Sequence, residues 1–371
     1  MRVAVVAEFY PRAEDPVLGV WAHRQALAAR DAGADVRVFV LHRLVPPKAD
    51  FTPRSLARKL RQPRRAELDG LPVEYVPFVS PPRSRSYGSW GRWAARPLAR
   101  AMRRHDFDLV HAHNAVPGGD AVVRAGAAGK GVGRGTPLVV SVHGGDVFFT
   151  HERWPAGVER AFGASRLVLA NSAGVAERAR SVGARDVRVV HLGTDVPDTV
   201  VAGTGVVTVG HLVARKRHAD VIRALPEGVT YDVVGDGPER AALERLARET
   251  GAAVTFHGQL EHAEALEVAR RRGVFAMPSV DEAFGVAYVE AMAAGLPAIG
   301  CAGEPGPEEI AAAGEGMRLV PPGDVGALRA AIEECLAAPN LGAKARRTVA
   351  RHFTWERCGA ATVAAYEEAL R

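Results

Sequence analysis

The stretch VVTVGHLVARKRHADVIRAL, residues 206–225, predicts a buried strand, a polar loop and a helix in that order. Its first residues are mostly β-branched and consecutive, as in a parallel strand that is buried on both faces. Gly210 ends the strand, Arg215 and Lys216 follow in the loop, and the apolar residues then return with helical spacing. Because a strand followed by a helix is part of a βαβ unit, this stretch predicts an α/β fold with a parallel sheet.

Similar apolar runs, each short and bounded by glycine, proline or a polar turn, recur on both sides of this stretch. After it, they occur at 231–237, 253–258, 274–279, 297–302 and 317–322. Before it, they occur at 3–9, 35–41, 108–114, 137–144 and 166–172. The intervening text HLGTDVPDTVVAGTG, residues 191–205, is typical of a loop. The pattern therefore predicts two parallel sheets, one in each half of the chain.

The composition fits two α/β domains without a membrane span. The chain has 371 residues, of which 47% are hydrophobic and 24% charged. No apolar run reaches the roughly 18 residues that cross a bilayer, and the opening MRVAVVAEFYPR lacks a signal-peptide pattern, so we expect a cytoplasmic protein. Cys301, Cys335 and Cys358 lack the spacing of a zinc site or a disulfide framework and are predicted to be free thiols.

The strongest local motif is SVDEAFGVAYVEAMAAGLP, residues 279–297. Glu282 and Glu290 stand on either side of a Phe284-Gly285 turn that precedes a predicted helix. Gly285 would let a ligand approach the backbone, and the free N–H groups of the helix start bind hydroxyls or phosphate oxygens. Two carboxylates that accept hydrogen bonds from vicinal hydroxyls suit a sugar and a ribose.

The loop that holds Arg215 and Lys216 lies at the carboxyl end of its strand, where ligands bind in open parallel sheets. Two adjacent cations before a helix suit a diphosphate. Because this loop and the two glutamates are predicted to lie on one sheet edge, we expect a single site for a sugar nucleotide.

These motifs together resemble the retaining glycosyltransferases of family 4, which have the GT-B fold. The resemblance rests on the Glu282-to-Glu290 motif, the Arg215-Lys216 loop, GDGPER at 235–240 and FHGQL at 256–260. It extends to DLVHAHN, SVHGGD and a terminal FTWE helix, and so covers nearly the whole chain. It implies two Rossmann-like domains whose parallel sheets face a central cleft, with the C-terminal helix crossing back to the first domain. The implied domains are 1–197 with 353–371, which binds the acceptor, and 198–352, which binds the nucleotide-sugar donor.

Carried over to this sequence, the resemblance implies a donor site in the second domain. Glu290 would hold the ribose, and Glu282 would hold the transferred sugar. Arg215 and Lys216 would hold the diphosphate and offset its charge as it leaves. The remaining implied donor contacts are Gly210, Leu260, Phe284, Gly285 and Val286.

The first domain would complete the site. The resemblance places His143 beside the transferred sugar, Gly19 in a loop that packs against the donor phosphates, and His113 and Asn114 on the acceptor side. The candidate catalytic residues are thus His143, Arg215, Lys216 and Glu282. A histidine at a strand end also caps backbone groups, and this alternative stays open for His143.

Two patterns resemble metal sites and are interpreted otherwise. His111 and His113 have no third ligand at the usual spacing. Asp106-Phe107-Asp108 matches the Asp-x-Asp signature of metal-dependent glycosyltransferases that have a fold other than GT-B. Here it precedes the strand predicted at 108–114, so it is predicted to be a turn. We expect no metal and no cofactor.

The predicted function is metal-independent transfer, with retention, of a hexose-type sugar from a UDP- or GDP-sugar to an acceptor hydroxyl. Two alternatives stay open: a nucleotide-sugar 2-epimerase of the same architecture and a non-catalytic sugar-nucleotide-binding protein. Nucleic acid is not an expected partner, because no RNA-binding signature accompanies the basic residues.

Positive charge is concentrated in one region. The net charge is +6, whereas residues 54–104 hold 13 Lys and Arg against 3 acids. Within 83–105, arginines alternate with apolar residues, which predicts a basic amphipathic helix despite Pro97. The apolar residues of this pattern are Trp90, Trp93, Pro97, Leu98 and Met102. One hypothesis is that the two basic stretches, residues 54–65 and 83–105, attach peripherally to an anionic membrane surface, at the inner face of the cell membrane, with a lipid-linked or envelope-glycan acceptor. The alternative is an ordinary solvated face.

Overall fold

The computed structural model describes residues 1–46, 52–81, 86–127, 135–198 and 203–371. It divides into two compact units. The first comprises Met1–His191 with Trp355–Arg371, and the second comprises Leu192–Thr354.

The first unit is built on an eight-stranded sheet in the order β3-β4-β2-β1-β5-β6-β7-β8. Neighbouring strands are parallel except for the antiparallel pair β3 and β4. The strands are β1 (Arg2–Ala7), β2 (Asp35–Arg43), β3 (Arg65–Leu68), β4 (Leu71–Phe78), β5 (Leu109–His113), β6 (Leu138–Val142), β7 (Leu167–Ala170) and β8 (Val187–Val189). The order of the strands reverses between β1 and β5, which is the topological switch point of this sheet.

Helices connect these strands, with short helical turns at Tyr87–Ser89, Ala115–Gly119, Asp146–Thr150 and His151–Arg153. The helices are α1 (Val20–Asp31), α2 (Pro53–Leu60), α3 (Trp90–Met102), α4 (Asp120–Ala127), α5 (Pro155–Ala164) and α6 (Ala173–Ser181).

The second unit is built on a six-stranded parallel sheet in the order β11-β10-β9-β12-β13-β14. Its strands are β9 (Val206–Val209), β10 (Tyr231–Val234), β11 (Val254–Gly258), β12 (Val274–Ala276), β13 (Ala298–Cys301) and β14 (Met317–Val320). Its helices are α7 (His218–Ala224), α8 (Arg240–Thr250), α9 (His262–Arg270), α10 (Val286–Ala293), α11 (Pro305–Ala313), α12 (Val325–Ala337) and α13 (Leu341–His352). The switch point here lies between β9 and β12, so the two Rossmann-like α/β units expected from the sequence are present.

The C-terminal helix α14 (Trp355–Leu370) belongs to the first unit and packs on α1. Gln25 on α1 donates a hydrogen bond of 3.1 Å to Thr362, and the hydroxyl of Tyr366 lies 2.7 Å from Nδ1 of His111. Gly359 allows the close approach, because a side chain there would collide with the backbone carbonyl of Ala28. Helix α14 therefore covers part of the first sheet although it follows the second unit in the chain.

The unit boundaries differ from those predicted from the sequence. Residues 192–197 and 353–354 were assigned to the first domain but lie in the second unit. The backbone N–H of Thr194 donates to the carbonyl of Phe353 over 2.9 Å, and the Arg346 guanidinium donates to the carbonyl of Pro197 over 2.6 Å. The first hydrogen bond joins the two connecting segments to each other, and the second attaches Pro197 to helix α13 of the second unit.

The basic region also differs from its prediction. Sequence analysis did not identify β3 and β4, because β3 is short and polar and β4 contains two prolines. Helix α3 forms around Pro97 as predicted, but it packs on β4 and buries Trp90, Leu98 and Met102. Of the apolar residues named for it, Trp93 alone is exposed, at 48%. The apolar side of α3 therefore faces the protein and is not available to a membrane.

Two other expectations are resolved by the structure. All three cysteines are buried free thiols, as predicted. Within the described ranges, no helix combines the length and apolar character needed to cross a bilayer.

We predict that Gly359→Ala lowers the free energy of unfolding by about 1–3 kcal/mol, because the new methyl group overpacks the contact of α14 with α1. Gly163→Ala is the matched control, since Gly163 is an exposed glycine of α5 whose added Cβ meets nothing within 4 Å. Urea unfolding followed by circular dichroism measures both changes. Equal stabilities of the two variants would contradict the close packing at Gly359.

Candidate functional site

The loops after β9 and β12 lie side by side in the second unit, because these two strands are neighbours at the switch point. The backbone N–H of Val280 donates to the carbonyl of Arg215 over 2.9 Å and ties the loops together. The sequence-predicted cations and the acid of the SVDEAFG motif thus meet at the carboxyl edge of one sheet.

Glu282 and Lys216 form an ion pair in which Nζ lies 2.5 Å from Oε2. Both side chains are nearly buried, at 10% and 12% exposure, and Arg215 Nη1 adds a longer contact of 3.7 Å to the same oxygen. Burial alone would raise the pKa of Glu282, but the charges of Lys216 and Arg215 bring the pKa below its ordinary value. Glu282 is therefore ionised at neutral pH.

Two residues that sequence analysis did not single out fix the position of Glu282. The hydroxyl of Ser279 donates to Oε2 of Glu282 over 2.9 Å, and Oε2 of Glu304 accepts the backbone N–H of Glu282 over 2.7 Å. Ser279 opens the quoted motif, so its place at the strand end was available as a signal. Glu304 follows β13, and only the sheet order brings it to this loop.

Gly285 adopts the left-handed conformation, with φ 83°, immediately before α10. A side chain there would strain the backbone and collide with the ring of Tyr288. Val286 begins the helix, so its N–H is among the donors at the helix start that have no partner within the helix. Phe284 is buried against Phe353, with ring centroids 5.7 Å apart, so only its backbone is available to a ligand.

Glycines keep the β9 loop compact. Side chains at Gly235 and Gly237 would collide with the carbonyls of Gly210 and Leu212, so the GDG turn packs directly against this loop. A Cβ at Gly210 would lie 4.0 Å from Cε of Lys216. Gly210 is therefore beside the ion pair.

Glu290 and Leu260 occupy another part of the same unit. Glu290 lies on the second turn of α10, with Oε1 3.4 Å from Nε2 of His262 and its side chain 19% exposed. Leu260 follows β11, is half-buried and precedes His262 by two residues. The two predicted donor contacts thus lie on neighbouring segments around His262.

A second group of predicted residues lies at the carboxyl edge of the first sheet. His113 Nδ1 and His143 Nε2 are 2.9 Å apart, and the two rings are almost parallel. Burial lowers the pKa of His143 to about 4 and that of His113 well below its usual range, so both rings are neutral at pH 7. The other nitrogens, His113 Nε2 and His143 Nδ1, are buried without a hydrogen-bond partner in the described part of the chain. His143 therefore does not act as a backbone cap in the described structure.

Both ring nitrogens of His111 are within hydrogen-bond distance of side-chain hydroxyls. His111 bonds to the hydroxyls of Tyr366 and Ser141, each at 2.7 Å. No group of three His, Cys, Asp or Glu side chains that could hold a metal ion occurs among the residues described. The Asp106-Phe107-Asp108 sequence lies at the opposite edge of the sheet, where Asp108 accepts the backbone N–H of Arg2 over 2.7 Å.

Asn114 lies next to His113 in an unusual backbone conformation, with φ 70°. The side-chain amide of Asn114 donates to Oδ2 of Asp146 over 3.0 Å, and Oδ1 of Asp146 accepts the backbone N–H of Ala115 over 3.0 Å. Burial raises the pKa of Asp146 to about 6, although these hydrogen bonds oppose the rise. Sequence analysis did not identify Asp146 as a site residue, although it ends the SVHGGD segment.

Gly19 stands at the start of α1 with φ 66°. A side chain there would collide with the backbone carbonyl of Phe9. The loop between β1 and α1 therefore needs glycine at this position for its own folding.

Both halves of the chain match family models in chain order. Residues 18–197 match the model described as Glycosyltransferase Family 4, and residues 204–351 match the model described as Glycosyl transferases group 1. Curated relatives include an MMP alpha-(1->4)-mannosyltransferase of Mycolicibacterium hassiacum, 33% identical over 43% of this chain and 39% of the relative. Another is a GDP-mannose-dependent monoacylated alpha-(1-6)-phosphatidylinositol monomannoside mannosyltransferase of Corynebacterium glutamicum, 31% identical over 40% of this chain and 43% of the relative. The alignments thus span less than half the length of these relatives.

Solved structures share the fold over the whole chain. Anabaena HepE, solved in complex with UDP and glucose, has a TM-score of 0.72 at 20% identity, covering 99% of this chain and 100% of that protein. Sucrose-phosphate synthase from Thermosynechococcus elongatus has a TM-score of 0.76 at 20% identity, covering 99% and 98%. At these identities the likeness shows the GT-B fold alone. Since the two family models together span most of the sequence, the chain belongs to glycosyltransferase family 4.

Proposed function

We propose that this protein transfers a hexose from a nucleoside-diphosphate sugar to an acceptor hydroxyl, with retention of configuration and without a metal ion. The observation that carries the proposal is the buried Lys216–Glu282 pair, with Arg215 beside it, at the switch point of the second sheet. The resemblance to family 4 implies that the donor binds at this edge.

Breaking the anomeric C–O bond leaves positive charge on the sugar and negative charge on the departing diphosphate. Lys216 and Arg215 would stabilise that negative charge, aided by the backbone N–H groups at the start of α10. Lys216 needs little reorganisation for this role, because Glu282 already holds its ammonium group. Glu282, ionised and fixed by Ser279, would accept hydrogen bonds from hydroxyls of the transferred sugar.

Retention would follow from attack on the face from which the diphosphate leaves. The acceptor oxygen forms the new bond to the anomeric carbon, the bond to the phosphate oxygen breaks, and a phosphate oxygen takes the acceptor proton. His143 is neutral at pH 7, so it would contribute a hydrogen bond to the sugar rather than a charge.

The relatives support a nucleotide sugar as donor but differ in the base. HepE was solved with UDP and glucose, and the C. glutamicum relative is described as GDP-mannose-dependent. The latter acts on a phosphatidylinositol monomannoside, which supports a lipid-linked acceptor for this chain as well. Release of nucleoside diphosphate from a panel of UDP- and GDP-sugars tests the donor. No release with any hexose donor, with acceptor lipids present, would refute the proposal.

The 2-epimerase alternative predicts a different product. Incubation with donor alone would yield an epimerised nucleotide sugar, whereas a transferase would yield only slow hydrolysis. A sugar-nucleotide-binding protein without activity would yield neither product but would bind the donor in calorimetry.

We predict that turnover is unchanged by EDTA, because the proposed stabilisation of the leaving diphosphate comes from Lys216 and Arg215. Initial rates with and without chelator measure this. Loss of turnover in EDTA that Mg²⁺ or Mn²⁺ restores would show that a cation takes part.

Lys216→Ala is expected to lower kcat by about 100-fold or more, the scale of removing one preorganised donor to a developing charge. Arg215 and Ser279 still contact Glu282 in this variant, so we expect a folded protein of reduced stability. Lys344→Ala is the matched control, since Lys344 forms an exposed ion pair with Glu315 at 2.6 Å in the same unit. Equal kcat for the two variants would contradict the role of Lys216.

For Glu290→Ala we expect weaker donor binding with a smaller change in kcat, because a ribose contact differs little between ground and transition states. Donor affinity from calorimetry and kcat from steady-state rates separate the two effects. A fall in kcat alone, at unchanged donor affinity, would place Glu290 at the reacting sugar instead.

A further inference from the structure

Helix α2 exposes its apolar side. Pro53, Leu56, Ala57 and Leu60 follow the spacing of one helix face, and all four are exposed to solvent. Leu56 is 37% exposed and Leu60 61% exposed. The usual orientation of a surface helix, with the apolar stripe toward the core, is therefore reversed.

The polar side of α2 is bound to the protein instead. Ser55 is buried and forms a capping box with Thr52 at the helix start. Lys59 forms an ion pair with Glu14, and its carbonyl oxygen accepts a hydrogen bond of 2.9 Å from Nε2 of His42. These contacts fix the rotation of the helix and leave the leucines outside.

Arginines surround the exposed stripe. Residues 53–65 contain six cations and no acid. Arg54, Arg61 and Arg64 are exposed and form no ion pair with any acid of the described ranges. The surface thus combines an apolar stripe with three arginines whose charge no acid of the described ranges neutralises.

We infer that α2, with Arg54, Arg61 and Arg64, is a docking site for the surface of an anionic phospholipid bilayer. Leu56 and Leu60 would enter the boundary between headgroups and acyl chains while the arginines bind the phosphates. A stable protein partner is less suited, because a helix of about 12 Å cannot bury the roughly 1,200 Å² of a specific interface.

The position of α2 connects this surface with the candidate site. Gln62 accepts the backbone N–H of Ala13 over 3.0 Å, and Lys59 holds Glu14, so α2 is attached to the loop that ends at Gly19. His42, at the end of β2, places α2 at the same carboxyl edge of the sheet as His113 and His143. This inference rests on the proposed function in one respect: docking here would bring a lipid-linked acceptor to the transferase site.

Vesicle co-sedimentation of the full chain tests the docking site without any substrate. We expect binding to vesicles containing phosphatidylglycerol, weak binding to pure phosphatidylcholine, and weakening with salt. Leu56→Ser with Leu60→Ser should reduce the affinity about tenfold or more. Arg54→Ser with Arg61→Ser and Arg64→Ser should reduce it about 100-fold, at roughly fivefold for each cation near the surface.

The matched control removes the same charge from another surface. Arg92→Ser with Arg96→Ser and Arg100→Ser changes the exposed side of α3 and should retain most of the binding. The inference is overturned if the protein ignores anionic vesicles at low salt, or if the α3 variant loses as much affinity as the α2 variants. It is also overturned if the leucine variant binds normally, or if that variant only converts a dimer to a monomer in sedimentation.

Donor turnover provides an independent readout. The α2 variants should release nucleoside diphosphate at wild-type rates with a short-chain, soluble acceptor. Vesicle binding without any turnover would refute the proposed function and leave the docking site standing. Turnover without vesicle binding would refute the docking site and leave the proposed function standing.

Discussion

The candidate site depends on the contact between Lys216 and Glu282. A buried ion pair costs desolvation free energy, and removing one partner of such a pair typically destabilises a protein by about 3–5 kcal/mol. The contact exists because β9 and β12 are neighbours at the switch point, so that the loops leaving them meet. Ser279 and Glu304 then hold the carboxylate and the loop backbone. Gly285, Phe284 and the start of α10 are placed by the same short connection from Glu282.

The edge of the first sheet is organised by burial rather than by charge. Buried imidazoles stay neutral because the cationic form loses hydration, and His111, His113 and His143 all follow this rule. Helix α14 takes part in this arrangement, since Tyr366 bonds to His111 from a position 255 residues later in the chain. Within the described part of the chain, His113 Nε2 and His143 Nδ1 are buried and have no hydrogen-bond partner. Asp146 keeps the adjoining backbone in place with its carboxylate.

Helices α2 and α3 have similar sequence patterns, but they turn opposite faces toward the protein. Both combine arginines with apolar residues at helical spacing. Helix α3 lies on the sheet, where burial of Trp90, Leu98 and Met102 is favourable, and its arginines face solvent. Helix α2 is held through Ser55 and Lys59, so its leucines face solvent together with its arginines. Amphipathic pattern alone could not distinguish the two, because it specifies two faces but not which of them meets the protein.

The sequence determined the two parallel sheets, because consecutive β-branched runs bounded by glycine and polar turns have few other folded forms. The sequence also pointed to Arg215, Lys216, Glu282 and the Gly285 turn as candidate site residues, because each follows a strand that the sequence pattern predicts. It did not reveal β3 and β4, whose short polar run and prolines obscure the strand pattern. Glu304 and Asp146 were missed because their importance lies in contacts with other loops. Only the tertiary structure decided these contacts. It also decided that residues 192–197 belong to the second unit and that the leucines of α2 face solvent. Each depends on which distant segment occupies the neighbouring space, and local sequence does not encode that.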